Sequence, residues 1–142
     1  MQGRVADATE HATEALRLKP DDDRVRFNLG NVLNASGRTD DAIRELRRAV
    51  AINPDNADAH FNLAMILGPR NQLDEAVAHL RRVIAIDPRH AEAHRNLGFA
   101  LGLQGKVEEG IREMQEAVRL APESAEARRQ LASLLAAKAA ER

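Results

Sequence analysis

The stretch ADAHFNLAMILGPRNQLDEAVAHLRRVIAIDPRH, residues 57–90, contains two helical patterns, a turn between them and a stop at Asp87-Pro88. The rest of the chain repeats it. Pro20, Pro54, Pro88 and Pro122 each follow the last by 34 residues. Ahead of the last three stand Asn28-Leu29-Gly30, Asn62-Leu63-Ala64 and Asn96-Leu97-Gly98, followed in turn by Leu33, Leu67 and Leu101. A fixed period of this length means stacked units, because one helix pair cannot bury its apolar face alone. The sequence therefore specifies a kind of device, a binding scaffold, and leaves open what is bound.

The 142 residues are enough for a continuous core if the units stack. With 44% hydrophobic and 30% charged residues, the chain is expected to fold and to stay soluble. A formal net charge of −1 supplies no global attraction to nucleic acid or to an anionic membrane. Zero cysteines exclude disulfides, thiol catalysis and thiolate metal sites. The apolar runs are too short to span a bilayer and no signal peptide precedes the first helix, so a cytoplasmic location is expected.

Taken in order, residues from about Gln2 to Leu18 read as one helix with Ala8, Ala12, Ala15 and Leu16 on one face. Lys19-Pro20 ends it, since the residue before a proline is pushed out of the α region. Asp21-Asp22-Asp23 then opens the next helix as a cap, accepting from free first-turn N–H groups. That helix runs to about Ser36, buries Val25, Leu29, Val32 and Leu33, and leaves Gly37 to take positive φ after it. The next spans about Thr39 to Ile52 and buries Ala42, Ile43, Leu46, Ala49 and Val50. The pair recurs with Ala59, Leu63, Ile66 and Leu67, then Ala76, Val77, Leu80, Val83 and Ile84. It recurs again with Ala93, Leu97, Ala100 and Leu101, then Gly110, Ile111, Met114, Ala117 and Val118. A last helix carries Ala127, Leu131, Leu134 and Leu135. Gly68-Pro69 falls where the first helix of the middle unit should finish. Proline has no N–H to donate and clashes with the preceding turn, so that helix is expected to end by Leu67.

Small residues recur where two helices must approach: Gly30, Ala64, Gly98 and Ala132 in one helix of each pair, and Ala8, Ala42, Ala76 and Gly110 in the other. With these columns in place the chain resembles the tetratricopeptide repeat. That family's signature places a small residue after an Asn-Leu pair, Ala early in the second helix and Pro at the repeat end. The resemblance covers nearly the whole chain and is closest to bacterial scaffolds and sugar-transferase superhelices. It implies an all-α solenoid, a right-handed superhelix of about eight antiparallel helices in one domain. The repeats are expected at 23–56, 57–90 and 91–124, with a half repeat at 1–22 and a half repeat or capping helix at 125–142. The large aromatic of the family's first helix is replaced by Arg26, His60, His94 and Arg128. Packing between helices is thus expected to be aliphatic, with His94 standing in for the missing ring.

On a wheel of about 100° per residue, Phe27 and Asn31 lie opposite Leu29, Phe61 and Met65 opposite Leu63, and Arg95 and Phe99 opposite Leu97. These three phenylalanines are the only aromatic residues of the chain. The resemblance implies that this face lines a concave groove that receives a peptide or partner protein; the alternative is that Phe27 and Phe61 pack between neighbouring helices. Asn28, Asn62 and Asn96, continued by Gln130, recur one period apart. A carboxamide both donates and accepts, so this ladder either grips a peptide main chain or bonds to the next helix. The clamp that some family members use for a chaperone's C-terminal carboxylate is not expected. It needs Lys in the columns of Phe27 and Glu92 and Arg in that of Asn96; only Asn31 and Asn62 match.

No metal site is expected: His90 and His94 are spaced i, i+4, but His90 precedes its helix and no third ligand is evident. Arg47-Arg48 and Arg81-Arg82 read as a solvated face, with Asp40 four residues before Arg44 and Glu45 beside Arg48. No aromatics interleave with these arginines, so nucleic acid is not an expected partner. There is no catalytic constellation, no phosphate loop and no implied cofactor. The function implied is a non-enzymatic interaction scaffold. Its alternatives are the repeat portion of a larger enzyme such as a glycosyltransferase, or a self-assembling unit. Because the chain starts with a second helix and ends with a first one, Leu131, Leu134 and Leu135 could meet Ala8, Ala12 and Ala15 of another copy head to tail, or two C-terminal helices could pair.

Overall fold

The computed structural model describes residues 2–141. Among the described residues there are eight helices and no strand. They are α1 (Gln2–Leu18), α2 (Asp23–Ala35), α3 (Thr39–Ile52), α4 (Ala57–Leu67), α5 (Leu73–Ile86), α6 (Ala91–Leu103), α7 (Val107–Leu120) and α8 (Ala125–Ala140). The chain forms two compact units, Met1–Ile66 and Leu67–Arg142.

In the first unit α2 packs on α1 and on α3. Asp22 caps α2, accepting from the N–H groups of Arg24 and Val25 at 3.1 and 3.2 Å. Asp23 does something different: its carboxylate accepts from the side chains of Asn53 and Asn56 at 3.0 and 3.3 Å, tying the start of α2 to the turn after α3. Leu29, Leu33, Ala42, Ile43, Leu46 and Ala49 are buried. Each leucine withdrawn from water contributes on the order of 2 kcal/mol. Gly30 lets α3 in: a methyl group there would lie 2.7 Å from Leu46 Cγ.

In the second unit α6 packs on α5 and α7, and α7 on α8. Leu80, Val83, Leu97, Leu101 and Met114 are fully buried. Gly98 and Gly110 face one another, and a methyl on either would stand 2.8 Å from the other's carbonyl oxygen. The two backbones touch, which is what the small residues predicted from sequence require.

Three helices end in one and the same way. Gly37, Asn71 and Gly105, one period apart, take φ of 81°, 61° and 77°. The N–H groups of Arg38, Gln72 and Lys106 then donate to the carbonyls of Leu33, Leu67 and Leu101 at 2.9, 3.1 and 2.9 Å. This six-to-one bond is the left-handed C-terminal closure of an α-helix. Gly68-Pro69 stops α4 at Leu67, two positions short of where α2 and α6 end, and the closure still forms.

One expectation is corrected. The column of Arg26, His60 and His94 is not aliphatic packing but a polar clasp on the proline turns. Arg26 donates to the carbonyl of Pro20 at 2.8 Å, and His60 and His94 meet the carbonyls of Pro54 and Pro88 at 2.9 Å each. Arg26 also pairs with Glu45 at 2.7 Å, and His94 with Glu113 at 2.7 Å. A phenylalanine could fill this space but has no donor for a turn carbonyl, whereas the side chains present reach it. Arg128, the fourth member of the column, is exposed.

Candidate functional site

The residues singled out by the wheel fall into two groups, one in each unit. In the first unit Phe27, Asn31, Phe61, Asn62 and Met65 are half-buried and Asn28 is exposed. Asn62 Nδ2 donates to Asn31 Oδ1 at 2.7 Å, joining α4 to α2. The bond uses one donor and one acceptor of the pair. The amide nitrogen of Asn31 and the oxygen of Asn62 keep the opposite capacities, the two that a peptide unit would match. Asn31, Asn62 and Met65 line a recess of about 320 Å³ together with Asn34, Ala35 and Ile66. Phe27 and Asn28 lie outside it.

In the second unit Arg95 and Asn96 are half-buried and Phe99 is 48% exposed. Arg95 is ion-paired to Glu126 of α8 at 2.7 Å, which removes it as a free cation for a ligand. Gln130 donates through Nε2 to the same Glu126 at 3.3 Å, while its Oε1 is sealed from solvent and accepts no hydrogen bond. Phe99 and Gln130 line a cleft of about 220 Å³ with Gly102, Leu103, Met114, Ser133 and Leu134.

The two recesses occupy the same columns. Asn31, Asn34, Ala35, Asn62, Met65 and Ile66 become, two periods on, Phe99, Gly102, Leu103, Gln130, Ser133 and Leu134. Asn34, Ala35, Gly102 and Leu103 were not expected at the site because they sit beside the outward direction rather than on it. Ser133 stands in the column of Asn31, Met65 and Phe99, so the period alone points to it.

Family models of the tetratricopeptide repeat match residues 1–60, 33–97 and 70–134. The chain belongs to the tetratricopeptide repeat family. Solved tetratricopeptide structures share its fold. MamA from Desulfovibrio magneticus RS-1 is 26% identical with a TM-score of 0.87, over 96% of this chain and 77% of that one. YrrB, described as a TPR protein with an unusual peptide-binding site, is 26% identical with a TM-score of 0.78, over 91% of this chain and 66% of that one. The first TPR of Spaghetti (RPAP3), solved with the HSP90 peptide SRMEEVD, shares the fold at 22% identity and a TM-score of 0.78, over 82% of this chain and 93% of that one. A comparison with curated protein sequences finds no match.

Elsewhere on these tetratricopeptide repeats several charges are paired. Arg48 pairs with Glu45 at 2.9 Å, as expected, and Arg44 reaches Asp41 on the same helix. Arg81 reaches across to Glu109 at 3.1 Å. His90 caps α6 through Nδ1, accepting from Ala93 N–H at 3.1 Å, so its ring is committed to the helix start. Among the described residues no three His, Asp or Glu side chains are grouped to hold a metal ion, and no helix is long and apolar enough to cross a membrane.

Proposed function

We propose that this chain is a non-enzymatic interaction scaffold that holds an extended peptide segment of a partner protein on the outward faces of its first helices. The observation that carries the reading is the recurrence, at identical columns in each unit, of a recess lined mostly by side chains that the core leaves exposed or half-buried. In the first unit, Asn31 offers a donor and Asn62 an acceptor to a peptide main chain, independent of its side chains. YrrB, 26% identical, is described as having a peptide-binding site, which favours the same use here. The repeat units in this proposal run 23–56, 57–90 and 91–124. Self-association through α8 is a second, separate proposal, favoured by Leu135, which is 46% exposed beside half-buried Leu131 and Leu134. Leu135→Asp should then hold the mass measured by light scattering constant with concentration, where the unaltered chain rises.

The scaffold is tested by selecting peptides from a random display library on the immobilised chain and measuring the enriched sequences by calorimetry. Asn31→Ala combined with Asn62→Ala is expected to weaken a selected peptide by about 1–3 kcal/mol. Failure to enrich any peptide, or equal affinity for the double variant and the unaltered chain, would overturn the reading for the first unit.

A further inference from the structure

The two recesses share their columns but not their chemistry, and the difference identifies what the second one takes. Where the first presents Asn31, Asn34 and Ala35, the second presents Phe99, Gly102 and Leu103. Phe99 and Leu103 are 48% and 59% exposed, so neither is held there by the core. Gly102 is a second departure. A methyl group at 102 would lie 2.6 Å from Leu134 Cδ2, so its absence lets Leu134 of α8 settle against α6 and form an apolar wall. Met114 of α7 completes the apolar lining.

Beside these apolar surfaces stand Ser133 and Gln130, and one atom of Gln130 has no partner. Gln130 Oε1 is buried and accepts no hydrogen bond. Its orientation is fixed by chemistry: the amide nitrogen faces the carboxylate of Glu126, an obligate acceptor, so the buried atom is the oxygen. A buried acceptor without a donor is a standing cost to the fold, recovered when a donor arrives. Gln130 itself is one of the residues that line the cleft. The volume of about 220 Å³ suits one side chain and not a folded element.

We infer that the α6–α8 cleft is a subsite for a single leucine or phenylalanine side chain of a peptide partner, with the backbone N–H of that residue donated to Gln130 Oε1. This rests on the peptide-scaffold reading and adds to it the class of residue recognised. An apolar side chain covers Phe99, Leu103 and Leu134, and the N–H supplies what Gln130 lacks. An acidic residue would find no cation, since Arg95 is already paired with Glu126. A polar side chain would leave the apolar walls facing polar atoms.

The probes are N-acetyl-leucine methylamide, its analogue methylated on both nitrogens, and N-acetyl-serine methylamide. Each is titrated into the isotope-labelled chain and followed by NMR. The leucine probe should move the Gln130 side-chain amide and the methyls of Leu103, Met114 and Leu134, and bind at least fivefold more tightly than the other two. Gln130→Met, which keeps the length and removes the acceptor, should reduce the leucine probe to the level of its methylated analogue. Phe99→Asn, which installs the residue of the equivalent column in the first unit, should abolish the shifts while leaving the melting curve in place. Equal binding of the methylated analogue, or no shift at these residues at saturating probe, overturns the subsite. Library-selected peptides that bind Phe99→Asn as tightly as the unaltered chain would also overturn it, and would leave the scaffold reading intact. A library that yields no peptide would sink the scaffold reading instead.

Discussion

His94 is 7% exposed and stands between two acceptors, the Pro88 carbonyl at 2.9 Å and the Glu113 carboxylate at 2.7 Å. A leucine of similar bulk would fill the space and leave both acceptors without a donor. His94→Leu is therefore expected to lower unfolding free energy by about 1–3 kcal/mol, measured in a denaturant titration. Glu113 retains partial access to water, so Glu113→Gln alone should cost less. A double-mutant cycle of the two should show coupling of about 1 kcal/mol, and strict additivity would mean the pair does not stabilise the fold. The period placed His94 in an aromatic column but said nothing of this. The partners of the ring are 6 residues before it and 19 after it, at a turn and on another helix, and no one-helix pattern records them.

At the scale of the element, the end of α4 sets two local rules against each other. Pro69 removes a helical N–H and stops the helix, and Asn71 must then take the left-handed conformation that glycine takes at 37 and 105. Asparagine tolerates φ of 61° better than most residues but less well than glycine. Asn71→Gly should raise stability by roughly 0.5–1 kcal/mol, and Asn71→Ala should lower it by about 1 kcal/mol. Thermal melts of the two variants, moving in opposite directions, are the check. Helix ends were legible here because proline and glycine act locally. Gly37 and Gly68-Pro69 announced their turns from sequence; Asn71, which shares a column with Gly37 and Gly105, was not expected to take positive φ. The outward faces were legible for a similar reason, since Phe99 and Gln130 follow from the wheel and the period. A bond from Asn62 to a neighbouring helix stood as one of two alternatives, but its partner Asn31 and the sealed oxygen of Gln130 were not legible, because each depends on the distance between two helices.

Across the whole molecule, the near-zero net charge hides many carboxylates held in their charged form. Asp23 is held below the usual range by hydrogen bonds from Asn53 and, less, from Asn56. Asp41 is lowered by Arg38, Glu108 by Lys138, Glu116 by Arg119 and Glu14 by Arg17. A carboxyl whose folded pKa lies below its unfolded value binds fewer protons in the folded state. Its contribution is complete above the unfolded pKa, near 4, and is lost as pH falls through the lower folded value. Stability should therefore fall as pH is taken from 5 toward 2.5. Salt separates the contributors. The exposed pairs Glu116–Arg119 and Glu14–Arg17 are charge with charge, and in concentrated salt they are screened. The donors to Asp23 are neutral amides, short-ranged and directional, which salt leaves largely in place. In 0.5 M sodium chloride the remaining acid slope should owe a larger share to Asp23, and Asp23→Asn should flatten it more than Glu116→Gln does. Melting temperatures measured at half-unit steps of pH decide the matter. If the two variants flatten the slope alike, the tie from α2 to the turn after α3 is not what acid breaks.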